Sequence, residues 1–303
     1  MRVAVTGATG TLGRALVAAL LARGDEVAAL SRDAAQARES LPPGAEAFSW
    51  PSPKDEAPPT EALKGVRGVV NLLGEPIAQR WSDSARREIC DSRVLSTRNL
   101  VSGLAELSEP PGVLVSQSGG GYYGPRGDEP VDESGPPGDD FLARLSVDWE
   151  GEARKAEELG VRVALTRTGV VLSPSGGALE KMLPFFKLGV GGPVAGGRQY
   201  VPWIHLDDMV GALIFCIDNP GARGPVNASA PEPVTNAELS KMLGRVLHRP
   251  AFAPVPAFAV KLLYGEMASV VTTGVRMVPR KLQDLGYEFK RPELEPALRA
   301  AVE

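Results

Sequence analysis

Apolar residues in the first thirty positions follow two different periods. Residues 2–6 are a short β-branched run, which predicts a strand, and residues 12–23 carry apolar side chains at helical spacing among many alanines. Gly24 and Asp25 break this predicted helix, and residues 26–30 resume as a strand. The chain therefore opens as strand, turn, helix and strand.

The same alternation continues as far as about residue 172. Four further apolar runs predict strands, at residues 45–50, 68–72, 113–116 and 162–166. Long stretches of helical periodicity lie at residues 84–107 and 141–159, while the polar segments at 42–60 and 124–140 predict loops. Strands and helices that alternate in this way predict an α/β fold, a Rossmann-type doubly wound parallel sheet.

After residue 172 the pattern changes to helices with few strands. Helices are predicted at residues 177–188, 209–218, 236–247 and 281–285, with a glycine-rich loop at 189–197. We expect this part of the chain to form a smaller, mainly helical C-terminal lobe beside the sheet.

Composition excludes several classes of protein. Hydrophobic residues make up 43% of the chain and charged residues 23%, both near the globular averages, which excludes global disorder. The net charge of −4 gives no basic field, so neither nucleic acid nor a membrane is expected as a partner. Two cysteines form no disulfide framework, and with two histidines no metal site is expected. Without a signal or a long apolar stretch, the protein is predicted to be cytoplasmic.

A glycine-rich turn joins the first predicted strand to the first predicted helix. It reads Gly-Ala-Thr-Gly-Thr-Leu-Gly over residues 7–13. In this context such a turn binds a dinucleotide, because the glycines let backbone approach a pyrophosphate and the free N–H groups at the helix start face its phosphates. The residues predicted to contact the cofactor here are Gly7, Thr9, Gly10, Thr11, Leu12 and Gly13.

The end of the second predicted strand indicates which dinucleotide is bound. An acidic residue there would bind the ribose 2′-hydroxyl, whereas a basic residue accommodates a 2′-phosphate. Here Ser31 can donate a hydrogen bond, and Arg32 can bind a phosphate through two N–H groups. NADP(H) is therefore favoured over NAD(H), and Arg32 as a solvated surface charge is the alternative.

Other predicted cofactor residues lie farther along the chain. Residues 71–75 end a predicted strand at the carboxyl edge of the sheet, where backbone lies beside the ribose of the cofactor. The residues predicted here, on the next helix and after later strands are Leu72, Leu73, Gly74, Glu75, Arg93, Ser116, Thr168 and Gly169. Residues 1–172 are then predicted to form the NADP-binding Rossmann domain, to which residues 205–230 return. Residues 173–204 and 231–303 are predicted to form the substrate-binding lobe.

Several segments together resemble one group of known proteins. The glycine spacing with its threonines is similar to that of the extended short-chain dehydrogenase/reductase superfamily. Six regions resemble its "epimerase family protein", or nucleoside-diphosphate-sugar-epimerase-like, subgroup, which has its own C-terminal domain; they are residues 71–77, 91–97, 119–124, 196–205, 227–235 and 274–282. The resemblance covers essentially the whole chain. It implies an NADP-binding oxidoreductase or isomerase of the epimerase type, and a homodimer.

The resemblance also implies a catalytic pair that this sequence lacks. Extended short-chain enzymes use a Ser or Thr and a helical Tyr-x-x-x-Lys, in which lysine lowers the tyrosine pKa and tyrosine moves the proton. Ser146 and Glu150 stand at the tyrosine and lysine positions, where serine is a far poorer acid than a phenol and glutamate reverses the lysine charge. Arg93 is predicted either to pair with Glu150 or to face an anionic substrate.

Three other residues are candidates for proton transfer. Ser118 can fill the Ser/Thr role or satisfy backbone in a turn, and Tyr122 can supply a phenol or pack as an aromatic ring. His205 can carry a proton with a pKa near the operating pH, or be a hydrogen-bonded structural residue. The residues predicted to contact the substrate are Tyr123, Gln199 and Trp203.

Two functions are consistent with these residues. The first is an NADP(H)-dependent oxidoreductase or epimerase-like enzyme that acts on a small polar, nucleotide-sugar-like molecule. The second is a non-catalytic regulatory protein that senses NADP(H) and has lost the Tyr-x-x-x-Lys pair. Both need the same cofactor pocket, and they differ in whether the chain turns over a substrate.

Overall fold

The computed structural model describes residues 1–302 and has a parallel sheet at its centre. The strands are β1 (Arg2–Thr6), β2 (Glu26–Ser31), β3 (Ala45–Ser49), β4 (Gly68–Asn71), β5 (Val113–Gly119), β6 (Pro130–Val131), β7 (Arg162–Thr168), β8 (Val170–Leu172), β9 (Tyr200–Val201), β10 (Trp203–His205), β11 (Gly224–Ala228), β12 (Val234–Thr235) and β13 (Arg276–Met277). Seven of them form the central sheet in the order β11-β7-β5-β4-β1-β2-β3, with every neighbouring pair parallel.

The helices connect these strands and continue through the C-terminal part. They are α1 (Thr11–Ala22), α2 (Ala34–Ser40), α3 (Thr60–Leu63), α4 (Asp83–Ala105), α5 (Phe141–Arg154), α6 (Gly177–Lys187), α7 (Leu206–Asp218), α8 (Asn236–Val246), α9 (Ala257–Tyr264), α10 (Ala268–Thr272), α11 (Arg280–Asp284) and α12 (Leu294–Val302). Within residues 1–302, no helix combines the length and the apolar character needed to cross a membrane.

Helices cover both faces of the sheet because its strands are buried on both sides. Val3 and Val5 of β1 face the cluster that contains α1 and α7, whereas Ala4 between them faces the cluster that contains α4 and part of α5. The strand order reverses between β1 and β4. In open parallel sheets of this kind, ligands bind in the crevice at the carboxyl ends of the strands beside such a reversal.

The C-terminal helices have a core of their own. Leu183 of α6, Leu243 of α8 and Leu298 of α12 are buried together around Trp203. Below this core, α6 begins against the first turn of α1, since a Cβ at Gly176 would meet the side chain of Thr11. The predicted Rossmann-type parallel sheet with a mainly helical C-terminal part is therefore confirmed.

The structure departs from the predicted elements at several positions. The helix predicted to reach residue 159 ends at Arg154, and a 3-10 turn follows it. The predicted loop at 124–140 contains β6, which pairs in parallel with β13. No strand was predicted at β11, because a proline and an asparagine interrupt its sequence Gly-Pro-Val-Asn-Ala.

Candidate functional site

The turn between β1 and α1 is closely packed at two of its glycines. Gly7 has φ +64°, and a Cβ there would lie 2.8 Å from the carbonyl oxygen of Leu72. A Cβ at Gly13 would lie 2.8 Å from the Cα of Ala8 and closer still to the carbonyl of Gly7. No larger residue fits at either position without moving backbone, so the glycines hold the turn against β4 and bring α1 onto it.

The start of α1 presents backbone donors that nothing in the described chain satisfies. The first backbone N–H of this helix to find a carbonyl is that of Arg14, which donates to Gly10 at 2.8 Å. The N–H groups of Thr11, Leu12 and Gly13 make no hydrogen bond within residues 1–302, and the first turn holds no acidic side chain. Free N–H groups at the positive end of a helix dipole form a binding site for phosphate oxygens. The turn therefore fits a dinucleotide.

The end of β2 carries a cation without a partner. Arg32 is exposed and makes no ion pair within the described residues. Ser31 lies beside it at the last position of β2 and is half-buried. Asp33 accepts from the backbone N–H groups of Ala35 and Gln36 and so caps α2. Because the Asp33 carboxylate accepts these two hydrogen bonds at the start of α2, it makes no ion pair with Arg32.

A buried hydrogen-bond network fixes the carboxyl end of β4. The Asn71 side chain accepts from Thr6 at 2.8 Å and donates to Thr97 at 2.9 Å and to Ser116 at 3.3 Å. The Thr6 hydroxyl also accepts from the N–H of Leu72 at 3.1 Å. This network sets the path of the loop that carries the predicted cofactor residues Leu72, Leu73, Gly74 and Glu75. The hydroxyl of Ser116 accepts the hydrogen bond from Asn71 inside the sheet and the residue is fully buried, which does not favour its contact with a cofactor.

The carboxyl end of β7 leads directly into the C-terminal part. The Thr168 hydroxyl donates to the carbonyl of Thr166, and the N–H of Gly169 donates to Ala228 at 3.0 Å. A Cβ at Gly169 would lie 2.9 Å from the carbonyl carbon of Pro202. These two predicted cofactor residues therefore lie where β7 packs against the segment that precedes β10.

Glu150 forms an ion pair with an arginine that the sequence analysis did not single out. Both Nε and Nη2 of Arg167 donate to its carboxylate, at 2.8 and 2.9 Å, and the Ser118 hydroxyl donates to it at 2.9 Å. Glu150 and Arg167 are 4% and 2% exposed, so the pair is screened from water. Ser146 donates to the carbonyl of Leu142 on its own helix. Glu150 thus belongs to a buried ion pair, and the hydroxyl of Ser146 is bonded within α5.

Arg167 also organises the two tyrosines that follow β5. Its Cζ lies 3.3 Å from the ring centroid of Tyr122, and its Nη1 donates to the hydroxyl of Tyr123 at 3.0 Å. Burial lowers the pKa of Arg167, but the hydrogen bonds and charge of Glu150 outweigh it and hold the pKa above its ordinary value. An arginine directly after the apolar run predicted as a strand at residues 162–166 was the signal that could have identified this residue.

The two tyrosines differ in what their hydroxyls can do. Tyr123 is fully buried, its hydroxyl donates to Asn227 at 2.6 Å, and burial raises its pKa to about 12. The Tyr122 hydroxyl makes no hydrogen bond within residues 1–302, and its residue is partly exposed. This placement does not favour contact between Tyr123 and a substrate, and it leaves Tyr122 as the phenol that a ligand can reach.

The predicted pairing of Arg93 with Glu150 is wrong. The Glu150 carboxylate is bound by Arg167 and Ser118, while Nη1 of Arg93 donates to the carbonyl of Ile89 one turn earlier on α4. The Arg93 guanidinium instead lies 5.2 Å from the ring centroid of Trp149. Glu150 points toward β7 and Trp149 toward α4, because adjacent residues of a helix face different directions.

The remaining predicted residues lie in the C-terminal part. The Gln199 amide donates to the carbonyls of Val194 and Val271, and the Trp203 indole, 1% exposed, donates to Glu232. His205 caps α7, since its Nδ1 accepts from the N–H of Asp207 at 3.1 Å. Trp203 and His205 are thus buried in packing and capping roles, and of the three Gln199 keeps the most contact with solvent.

A doubly wound parallel sheet with this glycine turn at its reversal point defines a dinucleotide-binding protein. A model of the NAD dependent epimerase/dehydratase family matches residues 3–228, and a model of a domain of unknown function, DUF1731, matches residues 255–301. The chain belongs to the NAD dependent epimerase/dehydratase family.

Relatives match over the whole length of the chain. The epimerase family protein SDR39U1 homologue of the Arabidopsis thaliana chloroplast is 42% identical over all of this chain and 87% of that protein. The human epimerase family protein SDR39U1 is 36% identical over the full length of both. Its crystal structure, described as isoform 2 with NADPH, has a TM-score of 0.88 at 34% identity, covering 100% of this chain and 99% of that one. A nucleoside-diphosphate sugar epimerase from Corynebacterium glutamicum has a TM-score of 0.79 at 33% identity, covering 100% of this chain and 58% of that one.

Proposed function

We propose that this chain binds NADP(H) and is an oxidoreductase or epimerase-like enzyme that acts on a small polar substrate. The observation that carries the proposal is the unsatisfied start of α1, where the N–H groups of Thr11, Leu12 and Gly13 have no partner within the described residues. These donors would bind the pyrophosphate of the cofactor. Family membership supports the same class of activity.

The preference for NADP(H) over NAD(H) follows from the end of β2. Arg32 is exposed and unpaired, and its guanidinium can bind the 2′-phosphate through two N–H groups while Ser31 donates a hydrogen bond. The human relative that was crystallised with NADPH is consistent with this choice. Bound in this way, the cofactor would supply or accept the hydride.

Tyr122 is the residue we assign to proton transfer. It follows β5 at the carboxyl edge of the sheet, its hydroxyl makes no hydrogen bond within residues 1–302, and Arg167 stacks on its ring. Ser118 is the weaker candidate, because its proton is already donated to Glu150.

The substrate is proposed to carry hydroxyl groups, as a nucleotide-sugar-like molecule does. Both N–H groups of Gln199 are used by backbone carbonyls, whereas its Oε1 accepts no hydrogen bond within residues 1–302. That oxygen can accept from a substrate hydroxyl. The polar contact is therefore assigned to Gln199.

Loss of NADPH absorbance with a broad panel of carbonyl compounds tests this function. Tyr122→Phe is expected to lower kcat about a hundredfold or more, as loss of a general acid does, without changing the Kd for NADPH. Tyr264→Phe, on α9, is the matched control and should retain wild-type kcat. Equal kcat for Tyr122→Phe and wild type would remove Tyr122 from the chemistry.

The regulatory alternative has a separate signature. Tight NADPH binding with no turnover of any carbonyl or alcohol would favour a non-catalytic sensor of the cofactor. In that case a partner protein should bind differently to the NADP⁺ and NADPH complexes.

A further inference from the structure

Arg93 is a largely buried cation with no carboxylate partner in the described chain. Its Nη1 donates to the carbonyl of Ile89 at 3.1 Å, and no acidic side chain lies within ion-pair distance of it among residues 1–302. The Nε and Nη2 atoms of Arg93 make no hydrogen bond within residues 1–302. Burial lowers the pKa of Arg93 to about 10. The guanidinium remains charged at neutral pH, and the charge of Glu75 compensates its burial in part.

Arg167 and Arg93 differ in the partners of their guanidinium groups. Arg167 has both carboxylate oxygens of Glu150 within 2.9 Å and a tyrosine hydroxyl at 3.0 Å. The corresponding Nε and Nη2 atoms of Arg93 have no such partner within residues 1–302. These two atoms remain accessible to solvent, so they can donate to a ligand that enters the cleft.

The position of Arg93 is at the edge of the sheet where the cofactor is proposed to lie. A Cβ at Gly74 would lie 2.8 Å from its Cζ and 2.9 Å from its Nη2, so the guanidinium rests on the loop after β4. The same loop touches the glycine turn, because the Leu72 carbonyl limits the space at Gly7. On its other side lies Trp149 of α5, at 5.2 Å. Arg93 therefore stands between the glycine turn and the segment of α5 that carries Glu150.

We propose that Arg93 binds an oxyanion in this part of the cleft, with Nε and Nη2 donating to two oxygens of one phosphate or carboxylate. The proposal rests on the proposed function, since it takes the cofactor to lie along the same edge. The oxyanion has two possible sources, the nicotinamide-side phosphate of NADP(H) or an acidic group of the substrate.

Calorimetric titrations with NADPH and with 2′,5′-ADP, which lacks the nicotinamide half, test the first source. Arg93→Gln is expected to weaken NADPH about tenfold or more, as loss of a charge-assisted pair does, and to leave 2′,5′-ADP binding unchanged. The NADPH affinity of Arg93→Lys should lie between those of wild type and Arg93→Gln, since lysine keeps the charge and loses the paired N–H groups. Arg87→Gln, an exposed arginine on the same helix, is the control.

The second source is tested with acetate and inorganic phosphate as probes, titrated both with and without NADPH present. If Arg93→Gln keeps wild-type NADPH affinity but loses binding of these anions, the oxyanion belongs to the substrate. If the variant matches wild type for NADPH and for both anions, the proposal is overturned. A thermal unfolding midpoint for each variant separates misfolding from loss of the site, and Arg93→Lys provides a second variant if the glutamine protein is unstable.

Failure of the proposed function is distinguishable from failure at Arg93. A wild-type chain that binds neither NADPH nor 2′,5′-ADP contradicts the cofactor assignment. The anion titrations without cofactor still decide whether Arg93 is an oxyanion site.

Discussion

The buried side chain of His205 makes the stability of the fold depend on pH. The residue is 5% exposed, its Nδ1 accepts from the N–H of Asp207, and its Nε2 is buried with no hydrogen-bond partner among residues 1–302. An accepting Nδ1 places the proton of the neutral ring on Nε2. Burial lowers the pKa of His205 and Arg291 lowers it further, against the opposing charges of Asp207 and Asp208. The folded chain therefore keeps this imidazole neutral at a pH where the unfolded chain protonates it.

The free energy of unfolding should consequently fall as the solution is acidified. His205 binds a proton near pH 6.5 in the unfolded state and only at lower pH in the folded state. The contribution of the neutral imidazole to the free energy of unfolding is therefore complete above about pH 6.5, and it is lost as the pH falls through the folded-state pKa. His205→Asn keeps an acceptor for the helix cap and removes the titration. Urea unfolding at several pH values should show a smaller acid loss for this variant than for wild type.

His248 is the matched control for that measurement. It is exposed, it has φ +53°, and asparagine tolerates this left-handed conformation. His248→Asn should keep the wild-type pH dependence. If the free energy of unfolding changed with pH in parallel for His205→Asn and wild type, the titration of His205 would contribute nothing to the pH dependence of stability.

At the scale of elements, the Glu150–Arg167 pair joins α5 to β7. Both side chains are almost fully buried, and removing one partner of such a pair leaves an uncompensated charge. Glu150→Gln and Arg167→Met are each expected to lower the free energy of unfolding by about 3–5 kcal/mol. The double variant should lose much less than the sum, because it leaves neither charge unpaired.

Chemical denaturation of the four proteins measures this coupling. Asp148→Asn, an exposed carboxylate on the same helix, should change the free energy of unfolding by about 0.5 kcal/mol or less. Additive losses at Glu150 and Arg167 would mean that the two side chains act independently.

The sequence predicted those elements whose signals are local. The glycine turn and the β-branched strands can be recognised from a few neighbouring residues, and the parallel sheet that they predict is confirmed. β11 was missed because a proline and an asparagine interrupt it, and its place at the edge next to β7 comes from tertiary packing.

The hydrogen-bonded core of the candidate site could not be predicted in the same way. Glu150, Arg167 and Ser118 come from three elements, and their bonds span 17 and 32 residues of sequence. A pattern of residue types identifies each as polar but gives no distance between them. The prediction of an Arg93–Glu150 pair was wrong for this reason, because the direction in which Glu150 points depends on how α5 packs on the sheet.

At the scale of the molecule, the C-terminal helices are tied to the carboxyl edge of the sheet at several points. Lys181 of α6 donates to the carbonyl of Ala78, and Arg86 of α4 pairs with Glu266 beyond α9. Gly176 lies against Thr11 at the start of α1. These contacts place the C-terminal part over the end of the sheet that carries the glycine turn, so a ligand bound there would touch both.

The preference of this cleft for NADP(H) depends most directly on the side chain of Arg32. NADPH and NADH should be titrated calorimetrically into wild type and Arg32→Ala, with Arg38→Ala as a control on α2. Wild type and the control are expected to bind NADPH at least tenfold tighter, about 1.4 kcal/mol, and Arg32→Ala should bind the two cofactors equally. Equal affinities for NADPH and NADH in wild type would contradict the NADP(H) assignment.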